Sequence, residues 1–241
     1  MKIGIISDIH SNLEALEKVL SFLRKKVEKI VHIGDLVGYG ANPKEVLFLI
    51  VENKIEGVMG NHDSAVIDEQ NALYFNEYAK KAVQWTRKVL SEEEINFLKK
   101  LSYKLNFNDF TLVHSTPSAP TQWRYLTFLE QAVEEFSYFS EKICFIGHTH
   151  TFLVVKRNND GKIEILNETE AIIEENSKYI INVGSVGQPR DGNPASSFVI
   201  YDTEERKVKF FRLNYNKEVA AQKIIDAGLP EFLGARLLIG R

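Results

Sequence analysis

The sequence predicts an α/β fold, in part α+β, in which two mixed sheets pack face to face with helices outside. In the first half of the chain, short apolar runs alternate with amphipathic helical segments, which is typical of βαβ units and a parallel sheet. From Lys142 onwards, strand-like runs follow one another with turns between them, which favours antiparallel pairing. No repeat or flexible linker interrupts the sequence, so we expect one domain over residues 1–241.

The first half contains three predicted strands with two helices between them. The strands are residues 2–7, 29–33 and 55–59. Ser11 followed by Glu14 has the spacing of a capping box, which predicts that the first helix begins there. Asn42 before Pro43 predicts the start of the second helix, because asparagine caps helices and proline suits the first turn.

The middle of the chain is predicted to be a helical cover. Residues from about 64 to 101 carry apolar side chains at helical spacing and no cluster of ligand-type residues, so we interpret them as a helical insertion. Within this insertion, Ser91 and Glu94 form a capping box that predicts a further helix start.

The second half is predicted to be mostly strand. A strand at 110–113 precedes a loop, and Thr127 with Glu130 predicts the start of a helix. Further strands are predicted at 151–156, 162–166, 178–183, 197–202 and 207–213. Asn158-Asn159-Asp160-Gly161 is typical of a hairpin turn between the first two. The chain closes with a predicted helical segment over about 216–241.

The composition counts against several classes of protein. The net charge is −3 with both signs mixed along the chain, whereas a protein that binds duplex nucleic acid carries a basic patch or stripe. No apolar run has membrane-spanning length, and the chain enters a strand at once without a signal peptide, so we expect a cytoplasmic protein. The single cysteine, Cys144, suits a reducing compartment and is expected to be a buried structural thiol.

The positions of the histidines indicate a metal site. Five of the six histidines lie where apolar runs end in polar, ligand-type residues. The polar residues at these ends are Asp8, His10, Asp35, Asn61, His62, His114, His148 and His150. Strand ends are where open α/β sheets build their sites. The sixth histidine, His32, lies within a strand, and we interpret it as a hydrogen-bonded core residue.

The candidate ligands are too numerous for one ion. They are Asp8, His10, Asp35, Asn61, His114, His148 and His150. Oxygen and imidazole ligands without thiolate suit two divalent ions, with manganese favoured and iron, nickel or zinc as alternatives. Two ions about 3.5–4 Å apart clamp the attacking and leaving oxygens of a phosphoryl displacement, and a metal-bound water has its pKa lowered to about 7. His62 directly follows a ligand and is the candidate general acid.

In their order along the chain, these motifs resemble those of the calcineurin-like metallophosphoesterases. The motifs are Asp8-x-His10, Gly34-Asp35, Gly60-Asn61-His62-Asp63, His114 and Gly147-His148-x-His150. The resemblance implies a four-layer αββα sandwich with a dinuclear site at strand ends. It also implies that Asp35 bridges two ions, the first held by Asp8, His10 and His150, and the second by Asn61, His114 and His148.

Two later segments resemble the small microbial phosphodiesterase branch of that family. They are residues 182–190 and the closing Ala227-Gly228-Leu229-Pro230. Arg190 follows a strand and a glycine-rich turn, where two interpretations stay open. It either contacts the substrate phosphate or is a solvated loop residue.

The second motif departs from that of the protein-phosphatase branch. Gly38 and Tyr39 stand where that branch has the aspartate that orients the catalytic histidine and an arginine that binds phosphate. This argues against a phosphoprotein phosphatase. It leaves Asp63 as a carboxylate that could orient His62.

The function predicted from the sequence is metal-dependent hydrolysis of phosphodiester or phosphoanhydride bonds in small substrates such as nucleotides or dinucleoside polyphosphates. The alternatives are a phosphomonoesterase, a nuclease of the same superfamily and a non-catalytic protein-binding module. Mild acidity counts against the nuclease, and the complete ligand set counts against the binding module. We expect a small phosphorylated substrate and neither a membrane nor a nucleic-acid partner, and a homo-oligomer stays open.

Overall fold

The structure, a computed structural model, describes residues 1–241 and contains twelve strands and eight α-helices. The strands are β1 (Lys2–Ile6), β2 (Lys29–His32), β3 (Glu56–Gly57), β4 (Lys104–Asn106), β5 (Phe110–Val113), β6 (Ile143–Ile146), β7 (Phe152–Arg157), β8 (Ile163–Leu166), β9 (Glu170–Ile172), β10 (Lys178–Val183), β11 (Ser196–Asp202) and β12 (Lys207–Leu213). The helices are α1 (Leu13–Leu23), α2 (Pro43–Glu52), α3 (Asn61–Ile67), α4 (Glu77–Val89), α5 (Glu92–Lys99), α6 (Leu129–Glu135), α7 (Lys217–Asp226) and α8 (Glu231–Ile239).

The strands form two six-stranded mixed sheets. The first sheet has the order β3-β2-β1-β11-β12-β9, in which β1, β2 and β3 are parallel and β11 pairs antiparallel with β1. The second has the order β4-β5-β6-β10-β7-β8, in which β5, β6 and β10 are parallel. The antiparallel hairpin of β7 and β8 encloses the predicted turn. The predicted fold class is therefore confirmed.

The main core lies between the two sheets. Side chains alternate along a strand, so Ile3 and Ile5 of β1 share one buried cluster with Ile143 and Phe145 of β6. Ile6, which follows Ile5 and points to the opposite face, packs instead against the helices that cover the first sheet. The two sheets therefore pack face to face, and each has its outer side covered by helices.

The helical layers differ between the two sheets. Helices α1 to α5 cover the first sheet, and α6 packs against the outer side of the second. Helices α7 and α8 pack against each other, and they form a further apolar cluster with Tyr39 and α4. No helix is long and apolar enough to cross a membrane.

The predicted start of α1 at Ser11 is wrong. The N-cap is Asn12, whose side chain accepts a hydrogen bond from the Ala15 N–H at 3.1 Å. Ser11 has a left-handed backbone with φ of 54°, and its N–H donates to Leu36 O at 3.0 Å. Ser11 therefore belongs to the preceding turn, and its hydroxyl is buried without a partner.

The other predicted helix starts have mixed outcomes. The capping box at Ser91 and Glu94 is confirmed. Asn42 occupies the N-cap position of α2, but its side chain makes no capping hydrogen bond. The start at Thr127 is wrong, because α6 begins at Leu129, and the Gln131 side chain accepts from the N–H groups of Thr127 and Phe128.

The third predicted strand and the helical insertion also differ from prediction. β3 has only two residues, because the chain leaves the sheet where the Met59 N–H donates to Ser102 O at 2.8 Å. Helix α3 then begins at Asn61, earlier than the expected boundary near residue 64. A candidate metal ligand therefore lies on the first turn of a helix. The short strands β4 and β9 were not predicted.

Candidate metal centre

The candidate ligands lie in loops that leave the strand ends through unusual backbone conformations. Five of them have positive φ angles between 49° and 68°, namely Asp8, His10, Asp35, His148 and His150. Residues other than glycine rarely adopt this conformation, and it persists where the surrounding structure holds it. Here the Asp8 N–H donates to Gly34 O at 3.1 Å and the His10 N–H to Asp35 O at 2.9 Å. The loops after β1 and β2 are thus joined side by side.

The glycines of the motifs allow these loops to approach closely. A Cβ atom at Gly60 would overlap the Asp35 carboxylate, and one at Gly147 would lie 2.5 Å from Asp8 Oδ2. No side chain fits at either position without displacing a candidate ligand. The glycines are therefore part of the geometry of the site.

One group of candidate ligands contains Asp8, His10, Asp35 and His150, whose ligand atoms all lie within 4.8 Å of one another. His150 Nε2 lies 3.2 Å from Asp8 Oδ1 and 3.1 Å from His10 Nε2. His10 Nε2 lies 3.5 Å from Asp35 Oδ2. Two carboxylates and two imidazoles therefore converge on one point.

The second group contains Asp35, His114 and His148, again with ligand atoms within 4.8 Å of one another. His114 Nε2 lies 3.4 Å from Asp35 Oδ2 and 3.0 Å from Asn61 Oδ1. All seven candidate ligands are at most 6% exposed. Asp35 belongs to both groups, which is the position expected of a bridging carboxylate.

Backbone carbonyls orient three of the histidines in the same way. The Nδ1 atoms of His10, His114 and His150 lie 3.2, 2.7 and 2.6 Å from the carbonyl oxygens of Val37, Ile33 and Gln188. A carbonyl can only accept, so each Nδ1 carries a proton, and in the neutral ring Nε2 is left as the free ligand atom. Ligating histidines are held in this manner by their surroundings.

His148 has the opposite orientation. Its Nε2 donates to the Trp123 carbonyl at 2.9 Å, which leaves Nδ1 as the ligand atom. Its backbone N–H donates to Asp8 Oδ2 at 3.1 Å, and the ring of Tyr125 stacks on its imidazole at 4.2 Å between centroids. The loop that carries Trp123 and Tyr125 therefore fixes this ligand from outside the sheets.

The protonation states suit a cation. Burial favours neutral Asp35, but His114 and His62 outweigh burial and hold the pKa of Asp35 well below its usual range. Burial lowers the pKa of His10 and, to about 3, that of His148. Burial also lowers that of His114, but Asp35 outweighs it and raises the pKa to about 9, so this ring is protonated near neutral pH and releases a proton when a metal ion replaces that charge. Divalent ions require ionised carboxylates and unprotonated imidazoles, so ionised Asp35 and neutral His10 and His148 fit such ions directly.

His62 lies beside the first group, on the first turn of α3. Its ring centroid is 4.9 Å from that of His10 and 4.3 Å from that of Tyr39. Its Nδ1 is buried without a partner, and a Cβ at Gly38 would lie 2.6 Å from that atom. Burial lowers the pKa of His62 to about 4. No carboxylate orients this ring.

The expectation that Asp63 could orient His62 is wrong. The Asp63 carboxylate accepts from the backbone N–H groups of Leu36 and Val37 at 2.9 and 3.1 Å and from that of Gly60 at 3.0 Å. The first two bonds tie the second motif to the third, and the bond from Gly60 closes the turn within the third motif. Asp63 therefore positions the loops that carry the ligands.

The interpretation of His32 as a hydrogen-bonded core residue holds for only one of its ring nitrogens. Nδ1 accepts from the Gly34 N–H at 3.2 Å, whereas Nε2 is buried without a partner. Burial lowers the pKa of His32 to about 3, so the ring is neutral.

Arg190 lies next to the first group of ligands. Its N–H donates to His150 O at 3.2 Å, and its Nη2 donates to Gln188 Oε1 at 2.8 Å. The side chain is partly buried, and its charge adds to burial in lowering the pKa of His150. Arg190 is therefore a partly buried residue beside the candidate ligands.

Sequence reasoning did not assign a site role to four residues near the centre. They are Tyr39, Trp123, Tyr125 and Arg236. Tyr39 lies within the second motif, which was a usable signal. The other three come from an irregular loop and from α8, where no local pattern points to the site.

The chain belongs to the calcineurin-like phosphoesterase superfamily, whose domain model matches residues 1–206. An uncharacterised protein of Methanocaldococcus jannaschii is 40% identical over 244 residues, which covers 99% of this chain and 98% of that protein. The crystal structure of a metallophosphoesterase from Sphaerobacter thermophilus matches with a TM-score of 0.89 and 36% identity over the whole of both chains. That of a hypothetical protein from Pyrococcus horikoshii matches with a TM-score of 0.81 over 100% of this chain and 98% of that one; at 19% identity it shows the fold alone.

Membership of this superfamily and the two buried groups of ligands both indicate a protein that binds divalent metals. The superfamily indicates a hydrolase that uses divalent metals, and the buried aspartates and histidines could hold them.

Proposed function

We propose that the protein is a dinuclear metal-dependent phosphoesterase that hydrolyses phosphodiester or phosphoanhydride bonds of small substrates. The observation that carries this proposal is the pair of buried ligand groups that share Asp35. Manganese is the preferred ion, with iron, nickel and zinc as alternatives, because the ligands are oxygens and imidazoles without thiolate.

The residues divide between the two ions according to the two groups. Asp8, His10 and His150 would hold the first ion, Asn61, His114 and His148 would hold the second, and Asp35 would hold both. Such ions would supply Lewis acidity and an activated water near neutral pH. The protein contributes fixed ligand orientations, through the carbonyls behind each histidine.

Two further side chains act on the substrate. Arg190 binds a phosphate oxygen, since it lies beside His150 and forms no ion pair with a carboxylate. His62 donates a proton towards the leaving oxygen through Nε2, because its Nδ1 is enclosed against Gly38. Although burial lowers its pKa, a phosphate anion beside the ring favours the protonated form.

The surroundings of the site favour a small substrate. The ligands are buried beneath the loops that carry Tyr39 and Tyr125, and these rings border the site at His10 and His148. The mixed surface charge gives no basic stripe for a nucleic-acid duplex.

Metal-reconstituted turnover tests this proposal. The protein is stripped of metal and assayed with manganese, nickel, iron or zinc on bis(p-nitrophenyl) phosphate, p-nitrophenyl phosphate and diadenosine tetraphosphate. We expect hydrolysis that depends on added metal and is faster for the diester or the phosphoanhydride than for the monoester. Equal rates with and without metal, or no turnover of any substrate with two ions bound, would contradict the proposal.

A further inference from the structure

Two arginines distant in sequence face the same tyrosine beside the metal centre. The guanidinium carbons of Arg190 and Arg236 lie 5.7 and 5.8 Å from the centre of the Tyr39 ring. Arg190 follows β10, whereas Arg236 belongs to α8, beyond the residues that the superfamily model matches. Cations within about 6 Å of an aromatic ring are attracted to its face, so Tyr39 can hold both charges.

Neither guanidinium pairs with an acidic side chain. Arg190 donates only to Gln188 Oε1, and Arg236 Nε donates to the main-chain oxygen of Arg241. Arg87, Arg206 and Arg212, in contrast, each pair with a carboxylate.

The two charges repel each other in partly buried surroundings. Burial and the charge of Arg190 lower the pKa of Arg236 to about 10, so both side chains stay charged at neutral pH. Two like charges beside one ring, neither paired with an acidic side chain, favour the binding of an anion there.

The arginine pair lies on the Tyr39 side of the first group of candidate ligands. The Tyr39 ring is 4.7 Å from the His10 ring and 4.3 Å from the His62 ring. Arg190 is the inner member, since its backbone N–H donates to His150 O at 3.2 Å. Arg236, which reaches the Tyr39 ring from α8, is the outer member.

Contacts between the end of α8 and the loop after β10 fix the positions of the segments that carry the two arginines. The Gly192 N–H, two residues after Arg190, donates to the carbonyl of Gly240 at the end of α8 at 2.9 Å. Gly240 has a φ of 67°, and a Cβ there would lie 2.6 Å from Asn193 C. Leu233 and Leu237, on the face of α8 that adjoins Arg236, are buried in the cluster that contains Tyr39. The end of α8 is thus docked on the loop that carries Arg190.

We propose that Arg236 and Arg190 together bind a second phosphate group, next to the one held at the metal centre. The preferred substrate is then a compound with two consecutive phosphates, and Arg236 determines this specificity. Guanidinium groups suit this role because they bind phosphate oxygens through two parallel N–H donors. The assignment of the first phosphate rests on the proposed function.

Binding of non-hydrolysable phosphonates to the metal-loaded protein tests the proposal. Isothermal calorimetry compares methylenediphosphonate, which carries two phosphonate groups, with methylphosphonate, which carries one. We expect Arg236→Gln to weaken methylenediphosphonate binding by about tenfold or more, and methylphosphonate binding much less, because a charge-assisted contact is lost. Arg236→Lys should restore part of the affinity. Arg206→Gln removes an exposed arginine paired with Glu175, at the turn before β12, and should change neither affinity.

Circular dichroism and thermal unfolding of each variant show whether it folds. If Arg236→Gln does not fold, Arg236→Lys serves as the test, because it too should bind methylenediphosphonate more weakly than the wild type. Unchanged methylenediphosphonate affinity in a folded Arg236→Gln protein, or an equal loss for both phosphonates, would overturn the proposal. If the wild type binds methylenediphosphonate through Arg236 but hydrolyses no phosphoester with any metal, the anion site stands and the proposed function fails.

Discussion

At the scale of single residues, the site depends on strained backbone as much as on ligand chemistry. Five candidate ligands adopt left-handed conformations, which cost about 1–3 kcal/mol each where the residue is not glycine. The ordered motifs predicted which residues these are. They could not predict the conformations, because the left-handed turns depend on hydrogen bonds between separate loops, such as that from the His10 N–H to Asp35 O.

Replacing Gly60 by alanine should weaken metal binding. The added Cβ would overlap the Asp35 carboxylate, which belongs to both ligand groups. We expect a loss of about 10–100-fold in metal affinity, the size found when groups that support a ligand are altered. Titration of the metal-free protein with manganese measures it.

Gly161→Ala is the matched control for this variant. Gly161 has a φ of 84° and open space around its Cβ position, far from the site in the β7–β8 hairpin. Alanine there should destabilise the fold by about 1–2 kcal/mol and leave metal affinity unchanged. Equal metal affinities of Gly60→Ala and the wild type would contradict the role given to Gly60.

Replacing His62 by alanine should reduce turnover most for substrates with poor leaving groups. A general acid contributes about 10²–10⁴-fold, and it contributes least when the leaving group departs easily. The measurement compares a p-nitrophenyl phosphodiester with the corresponding methyl ester. An equal loss for both esters would indicate a positioning role, and no loss would indicate packing alone.

At the scale of elements, local patterns predicted the type of most helices but not always their first residue. The Ser11–Glu14 spacing satisfies the capping pattern, yet Asn12 is the cap because Ser11 is already engaged with Leu36 across the motifs. Asn12 also donates from Nδ2 to Gly187 O at 2.8 Å. The start of α1 is therefore tied to the turn that leads to Arg190, a contact that local sequence does not reveal.

A pair of variants distinguishes the two candidate caps. Asn12→Ala should lower the free energy of unfolding by about 1–2 kcal/mol, since it removes the cap and leaves the buried Gly187 carbonyl with one partner fewer. Ser11→Ala should change it by less than about 0.5 kcal/mol, because the Ser11 hydroxyl has no partner. Urea unfolding measures both, and a larger effect at Ser11 would contradict the assignment.

At the scale of the whole molecule, the alternation of strands and helices followed by a run of strands was enough to predict two sheets packed face to face. The strand order was not predictable, because β11 lies beside β1 and β10 beside β6 through contacts between distant segments. The position of Arg236 near Tyr39 was not predictable for the same reason, because it depends on how α8 packs against a segment distant in sequence.

The packing of the second sheet predicts the reactivity of Cys144. This residue is fully buried on β6 against α6, and burial raises the pKa of its thiol well above the usual range. Because the thiolate is the reactive form, Ellman's reagent should label native protein very slowly and unfolded protein at once. The labelling rate across a urea series should follow global unfolding. Rapid stoichiometric labelling in native buffer would contradict this packing.

The most direct test of the central claim is the number of ions bound by the wild type and by Asp35→Asn, measured by native mass spectrometry together with diester hydrolysis. Asp35 is the one residue common to both ligand groups. We expect two ions in the wild type, and in the variant the loss of at least one ion together with the metal-dependent activity. Two tightly bound ions and undiminished hydrolysis in Asp35→Asn would contradict a bridged dinuclear centre.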